Sequence, residues 1–249
     1  MCRPLPGKPV TKRPNNNLIQ TADGTRSVPA TMIFELFDPT EEFVVRDGSN
    51  LPHWHQPGVT FFVTFRTEDS IPANIARTWH LSRADWLHRH GIDGNDPRWR
   101  TALERLDRRV QRDFHETFSR DYLEALDRGA GACALHDPDL AKEVADSLRH
   151  FDGQRYLMSD FIVMPNHVHL LVCLLADYQI EALCYSWKKF TAGKINRKLG
   201  RQGRFWQEES FDHLVRSPDQ FVAIRRYIAT NGVAAGLKPY EYLHYTRQE

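Results

Sequence analysis

The chain has 249 residues, 41% of them hydrophobic, enough for one sizeable core with room for an insertion. Its formal net charge of +1 excludes a general polycation, so any nucleic-acid surface must come from local clustering. Cys2, Cys133, Cys173 and Cys184 are scattered without CxxC spacing, which argues against a disulfide frame or a cysteine zinc site and for free thiols in a reducing compartment.

No apolar run reaches the roughly 20 residues of a membrane span. Pro4, Pro6, Pro9 and Pro14 interrupt any signal-peptide core at the N-terminus, so a soluble, cytoplasmic protein with no membrane partner is expected. Residues 1–28, rich in Pro, Asn, Thr and basic residues, read as a mobile basic tail. A single domain is expected over 29–240 and a short tail over 241–249. Short apolar stretches at Met32–Phe37 and Phe43–Val45 precede the first clear strand, Val59–Phe65. Its unbroken apolarity implies cover on both faces.

From about 72 to 128 the texture turns charged and helical. Trp79, Trp86, Trp99, Leu103, Leu106, Val110, Phe114 and Phe118 recur at helical spacing, with a turn at Gly91–Pro97. Asp137-Pro138 then opens a helix through Leu140, Val144, Leu148 and Phe151. Two strands follow, Arg155–Met164 and His167–Leu175, separated only by Pro165-Asn166, which predicts a tight hairpin. Next come a helix over Ile180–Leu199, a short strand over Ser210–Val215, and a last helix from Ser217-Pro218 to about Asn231. Interleaved strands and helices with an antiparallel pair indicate an α+β fold with a helical insertion after its first strand.

In the strand that starts at His167, residues i and i+2 share a face, so His167 and His169 project together while Val168 turns inward. Two adjacent imidazoles make half of a divalent-metal site. Two histidines can equally alternate on a solvated face, so the pair needs support elsewhere. His53-Trp-His55 is a second such pair, in a Pro-rich loop, and reads as structural or substrate-contacting.

In the last helix Phe221, Ile224 and Ile228 form a buried stripe, and Tyr227 and Asn231 lie one turn apart on one face. A tyrosine beside a metal can attack a phosphodiester as its phenolate, Asn231 can complete coordination or orient the phosphate, and Arg225 and Arg226 can neutralise backbone charge. A tyrosine half-buried against a sheet is the plainer alternative. Between 188 and 204 stand Lys188, Lys189, Lys194, Arg197, Lys198, Arg201 and Arg204 with no acid, next to Phe190 and Phe205-Trp206-Gln207. Positive charge beside aromatic rings suits a surface that tracks a single strand and stacks its bases. A solvated helix face with Trp206 in the core is the alternative.

These pieces occur in a recognisable order. Over residues 50–240 the chain resembles the REP-associated tyrosine transposases, relatives of the single-tyrosine HUH transposases of small bacterial insertion sequences. The resemblance is carried by Val59–Phe65 with Arg66 and Asp69-Ser-Ile-Pro72, by Phe151–Tyr156, and by Val163-Met-Pro-Asn-His-Val-His-Leu-Leu-Val172. It continues in Lys189 with Thr191–Asn196, Phe205-Trp-Gln207 with Ser210-Phe-Asp212, and Tyr227-Ile-Ala-Thr-Asn-Gly-Val-Ala-Ala-Gly-Leu237. It implies a ferredoxin-like antiparallel sheet with helices packed on it and a Mg²⁺ or Mn²⁺ ion on His167 and His169. It implies Tyr227 as the nucleophile toward single-stranded or hairpin DNA, joined to the 5′-phosphate, and Asn231 as a third ligand. The protein would be a monomer or homodimer. A hairpin-binding protein that does not cleave, or a metal-dependent nuclease using water, are the competing readings. One departure is Gly232, where the family usually has proline; glycine is expected to loosen the helix exit and with it Asn231.

Overall fold

The structure, a computed structural model, describes residues 34–47, 52–96, 98–127 and 129–248. The expected tail 1–28 lies outside the described residues. The first described elements form a small ribbon, β1 (Val44–Asp47) antiparallel to β2 (Pro52–His55), with Val44 opposite His55. His53 and His55 therefore sit on a strand, not in the expected loop.

The main sheet has five strands. β3 (Thr60–Arg66) leads into the helical segment α1 (Ala73–Arg89), α2 (Trp99–Glu104) and α3 (Arg108–Asp127), followed by α4 (Pro138–Arg149). β4 (Tyr156–Val163) and β5 (His167–Leu174) form the hairpin around Pro165-Asn166, closed by a bond from the Met164 amide to the His167 carbonyl of 2.8 Å. Then come α5 (Ile180–Lys198), β6 (Phe211–Leu214), α6 (Pro218–Ala234) and β7 (Leu243–Thr246). The strand order is β6-β3-β5-β4-β7, and every neighbouring pair is antiparallel. The fold is thus α+β, an antiparallel sheet with helices packed on it. β5 lies between β3 and β4, so the long helical connection crosses over the strand that carries the histidines.

The sheet is covered on both faces, as the apolarity of β3 required. Phe61, Val63 and Phe65 point to one face with Val168, Leu170 and Val172 of β5, where α4 and α5 bring Leu140, Val144, Leu183 and Trp187. Phe62 and Leu171 point to the other, where α6 brings Ile228. A bulge between Met158 and Asp160 re-aims β4. Beyond it Phe161 and Val163 join the α4/α5 face, while Ile162 joins the α6 face. The helical segment has a separate core that includes Trp86, Trp99, Phe114 and Phe118, with the Trp86 indole donating to Asp113 at 3.1 Å.

The helix starts follow the sequence. The Asp137 carboxylate accepts the Asp139 amide at 2.9 Å, the Ser217 hydroxyl accepts the Gln220 amide at 3.1 Å, and each cap precedes a proline. Two ends differ from expectation. α6 continues three residues past Asn231, to Ala234. The chain end beyond 241 is not a simple tail: β7 pairs with β4, Tyr245 stacks on Phe161 at 5.0 Å, and Arg247 bridges to Asp152 and the Met158 carbonyl. Among the described residues no helix is long and apolar enough to cross a membrane. Cys133, Cys173 and Cys184 are free thiols; Cys2 lies outside the described residues.

Candidate catalytic site

The site grows from the register of β3 on β5. Arg66 pairs with His167 and Thr64 with His169, so the start of the histidine strand lies against the end of β3. Both imidazoles project to the α6 face and both are fully buried, at 0% exposure. They do not lie on a solvated face. Their ring centroids are 4.5 Å apart at an interplanar angle of 71°. Burial pulls the His167 imidazole down to about 3. Burial, with the neighbouring His167, holds His169 well below its ordinary value. Both are therefore neutral imidazoles at physiological pH, the form that ligates metal ions.

Each ring is held on its Nδ1 side. The Thr64 hydroxyl lies 2.8 Å from His169 Nδ1, and Asn166 Oδ1 lies 2.7 Å from His167 Nδ1. Phe62 stacks on His169 with centroids 5.6 Å apart at 21°. Thr64 and Phe62 come from β3, two residues apart on one face, and were not singled out from the sequence. Period-two alternation in VTFFVTF was the available signal.

α6 brings the tyrosine. The Tyr227 hydroxyl lies 3.1 Å from His169 Nε2 within the same chain, and its ring stands edge-on to Phe62 at 6.1 Å. α6 is fixed to the sheet by Asp160, a carboxylate buried to 2% exposure. It accepts from Arg225 Nε at 2.8 Å, the Thr246 hydroxyl at 2.6 Å and the Ser159 hydroxyl at 2.5 Å. Arg225, expected to face DNA, is thus an ion-pair partner inside the fold, because an acid buried beside α6 requires a cation. Arg226 is exposed.

Gly232 has a different meaning from the one expected. It is inside α6, and a Cβ there would land 2.5 Å from Cδ1 of Tyr242. Glycine here lets the Tyr242 ring lie flush against the helix; it does not loosen a helix exit. Asn231, beside it, is buried to 2% exposure, one turn beyond Tyr227.

A divalent ion is consistent with this donor set. Two neutral, buried imidazoles suit such ions. Among the described residues no group of three His, Cys, Asp or Glu could hold a metal ion, and Asn231, one turn beyond Tyr227, offers a neutral oxygen as a further donor.

The basic stretch lies elsewhere. α5 packs on the opposite face of the sheet from the histidines. Lys188 is turned back to the Gln207 and Glu208 carbonyls, at 3.2 and 2.6 Å. Lys194 and Lys198 share Glu143, at 2.8 and 3.1 Å, and Arg204 reaches Glu208 at 3.4 Å. Lys189, Arg197 and Arg201 are exposed. Trp206, expected as a stacking platform, is in the core: it packs on Phe65 at 4.9 Å and donates to the Thr191 hydroxyl at 2.8 Å. The exposed rings are Phe190 and, missed in the sequence, Tyr185, with Lys194 and Lys189 above them at 4.8 and 5.4 Å.

Comparison with known proteins gives three results. Residues 140–231 match the family model described as "Transposase IS200 like". A solved structure of a REP-associated tyrosine transposase bound to a REP hairpin aligns with a TM-score of 0.38 at 13% identity, covering 81% of this chain and 95% of that one. Comparison with the curated proteins gives no match. The stretch that carries the histidine pair, the basic helix and the tyrosine is thus matched by the IS200-like transposase family, as the ordered motifs led us to expect.

Proposed function

We propose that this protein cuts and rejoins single-stranded DNA, with Tyr227 as nucleophile and His167 and His169 as ligands of a Mg²⁺ or Mn²⁺ ion. The observation that carries this reading is the Tyr227 hydroxyl 3.1 Å from Nε2 of a buried, neutral His169. When bound, the ion supplies charge to polarise the scissile phosphate and to favour the phenolate over a phenol that otherwise ionises near pH ~10.

The residues have separate tasks. His167 and His169 hold their Nε2 sides toward the α6 face, kept in place by Asn166 and Thr64. The Tyr227 hydroxyl lies 3.1 Å from His169 Nε2, which serves one partner at a time, so an ion held there would leave the hydroxyl free to attack. The phenolic oxygen forms a bond to phosphorus as the bond from phosphorus to the 3′-oxygen breaks. The phenol proton leaves to water, and the 3′-oxygen takes one to become a hydroxyl. The product is a 5′-phosphotyrosine and a free 3′-hydroxyl, which can reverse the step. Phe62 and the α6 stripe exclude water from the ring side of the tyrosine. Asn231 supplies a neutral oxygen to the ion or the phosphate.

Hairpin-forming DNA is the substrate class in this reading. Lys189, Arg197, Arg201 and Arg226 are the cations in contact with its backbone, and Lys194, Lys198 and Arg204 join them by exchanging Glu143 and Glu208 for phosphate. Tyr227 reaches His169 of its own chain, so a monomer, or a dimer without exchange of helices, suffices.

The test is incubation of the purified chain with Mn²⁺ and labelled hairpin-bearing single-stranded DNA. A denaturation-resistant protein–DNA adduct that vanishes in Tyr227→Phe is expected. Cleavage to free 5′-phosphates retained in Tyr227→Phe would instead mean a water-using nuclease. Hairpin binding that survives loss of His167, His169 and Tyr227, without cleavage by the wild type, would mean a binding module.

A further inference from the structure

The β4–β5 turn rests on the end of the helical segment. The Asn166 amide nitrogen lies 3.0 Å from the Ala130 carbonyl oxygen and 3.4 Å from that of Leu126. The Leu135 amide donates to the Pro165 carbonyl at 3.0 Å. The loop that provides these groups is itself fixed: the Ala132 amide donates to the Asp69 carboxylate at 2.8 Å. Gly131 has a φ of +92°, and a Cβ there would fall 2.6 Å from the Asp69 carbonyl oxygen.

These contacts settle which way the Asn166 amide points. A carbonyl oxygen can only accept, so the atom facing Ala130 and Leu126 must be the NH₂. Oδ1 is then left for His167 Nδ1, 2.7 Å away. An amide oxygen has no proton to give, so Nδ1 of His167 must carry one. That leaves the lone pair on Nε2. His169 has no such constraint, because Thr64 and Tyr227 each present a hydroxyl that can donate or accept.

We propose that Asn166 is a positioning residue that fixes His167 as the Nδ1–H tautomer with Nε2 ready for a metal ion, and that the carbonyls of Leu126 and Ala130, at the return of the helical insertion, hold Asn166 in place. The insertion thereby reaches the site through the Asn166 side chain. The metal-affinity part of this inference rests on the function proposed above; the tautomer part does not. Partners of this kind behind a ligating histidine typically change metal affinity by about 10–100-fold.

The test uses the full chain and two readouts. Ring ¹⁵N signals of His167 in metal-free protein report the tautomer, and titration with Mn²⁺ followed by electron paramagnetic resonance reports affinity. Expected are an Nδ1–H His167 in the wild type, loss of that preference in Asn166→Ala, and Mn²⁺ binding about 10–100-fold weaker. Gly131→Ala, which displaces the loop without touching Asn166, is expected to weaken Mn²⁺ binding several-fold. An Nε2–H His167 in the wild type overturns the proposal, and this measurement stands even if Asn166→Ala does not fold. Equal Mn²⁺ affinity in wild type and Asn166→Ala overturns it as well. A wild type that binds no Mn²⁺ would defeat the metal reading of the site, and the tautomer would still decide the role of Asn166.

Discussion

The two faces of the sheet put polar groups to opposite uses. On the α6 face His167, His169, Asp160 and Asn231 are buried to 2% exposure or less. Both histidines and Asp160 have side-chain partners at 3.1 Å or less. On the α5 face the charges are exposed or half-buried, and several are occupied by the protein's own carbonyls and carboxylates. The difference teaches that a cluster of charges in a sequence is not the same as available charge. Buried polar groups, which cost free energy unless matched, are the better mark of where chemistry is done.

The contrast can be broken by substitution. The largest effect belongs to the α6 face: His169→Ala should lower DNA cleavage by roughly 10²-fold or more, measured as adduct formed per minute at saturating DNA. If instead hairpin affinity falls and the rate at saturation holds, the face is a binding surface.

Next is Arg225→Ala. It leaves Asp160 buried without its cation, and because Arg225 is 31% exposed the expected loss of stability is roughly 2–3 kcal/mol, read from urea unfolding. Hairpin affinity should not change in the folded fraction; a fall there would return Arg225 to the DNA surface. Gly232→Ala drives a methyl into the Tyr242 ring and should cost roughly 1–3 kcal/mol. Unchanged stability would mean that Tyr242 moves away at little cost.

The α5 face sharpens the comparison with smaller steps. Lys189→Ala, Arg197→Ala and Arg201→Ala should each weaken hairpin binding and reduce the salt slope by about 1, without altering the cleavage rate at saturation. A separate effect is in pH. His167 has a folded value of about 3 against 6.5 for the free side chain, so between those values the unfolded chain binds more protons. Stability of the metal-free protein must therefore rise with pH across that window and fall on acidification. The thermal midpoint of the wild type should drop between neutral pH and about 4.5, and less steeply in His167→Asn. An equal slope would mean that other groups dominate the acid response.

Much of this was legible before the structure. The hairpin at Pro165-Asn166, the caps at Asp137 and Ser217, and the helical segment after the first strand all follow from local chemistry that acts within a few residues. So does the pairing of His167 with His169 on one face. What was not legible depends on contacts far apart in sequence. Trp206 beside seven cations reads as a base platform until the Thr191 hydroxyl, on another element, is seen to claim its indole nitrogen. Gly232 reads as a break until Tyr242 fills its empty side. β7 has only four residues, too few for a period, and its place is set by β4. Asp160 did leave a signal. A lone acid inside Tyr156-Leu-Met-Ser-Asp-Phe-Ile-Val163 has to be paired, and its cation stood in the tyrosine helix.

The central claim is that Tyr227, and no water, attacks the phosphodiester. The direct measurement is peptide mass mapping of the chain after reaction with Mn²⁺ and hairpin DNA followed by nuclease digestion. The account predicts a nucleotide 5′-phosphate attached to Tyr227 in the α6 peptide and to no other tyrosine. An unmodified Tyr227 alongside cleaved DNA with free 5′-phosphates would contradict it.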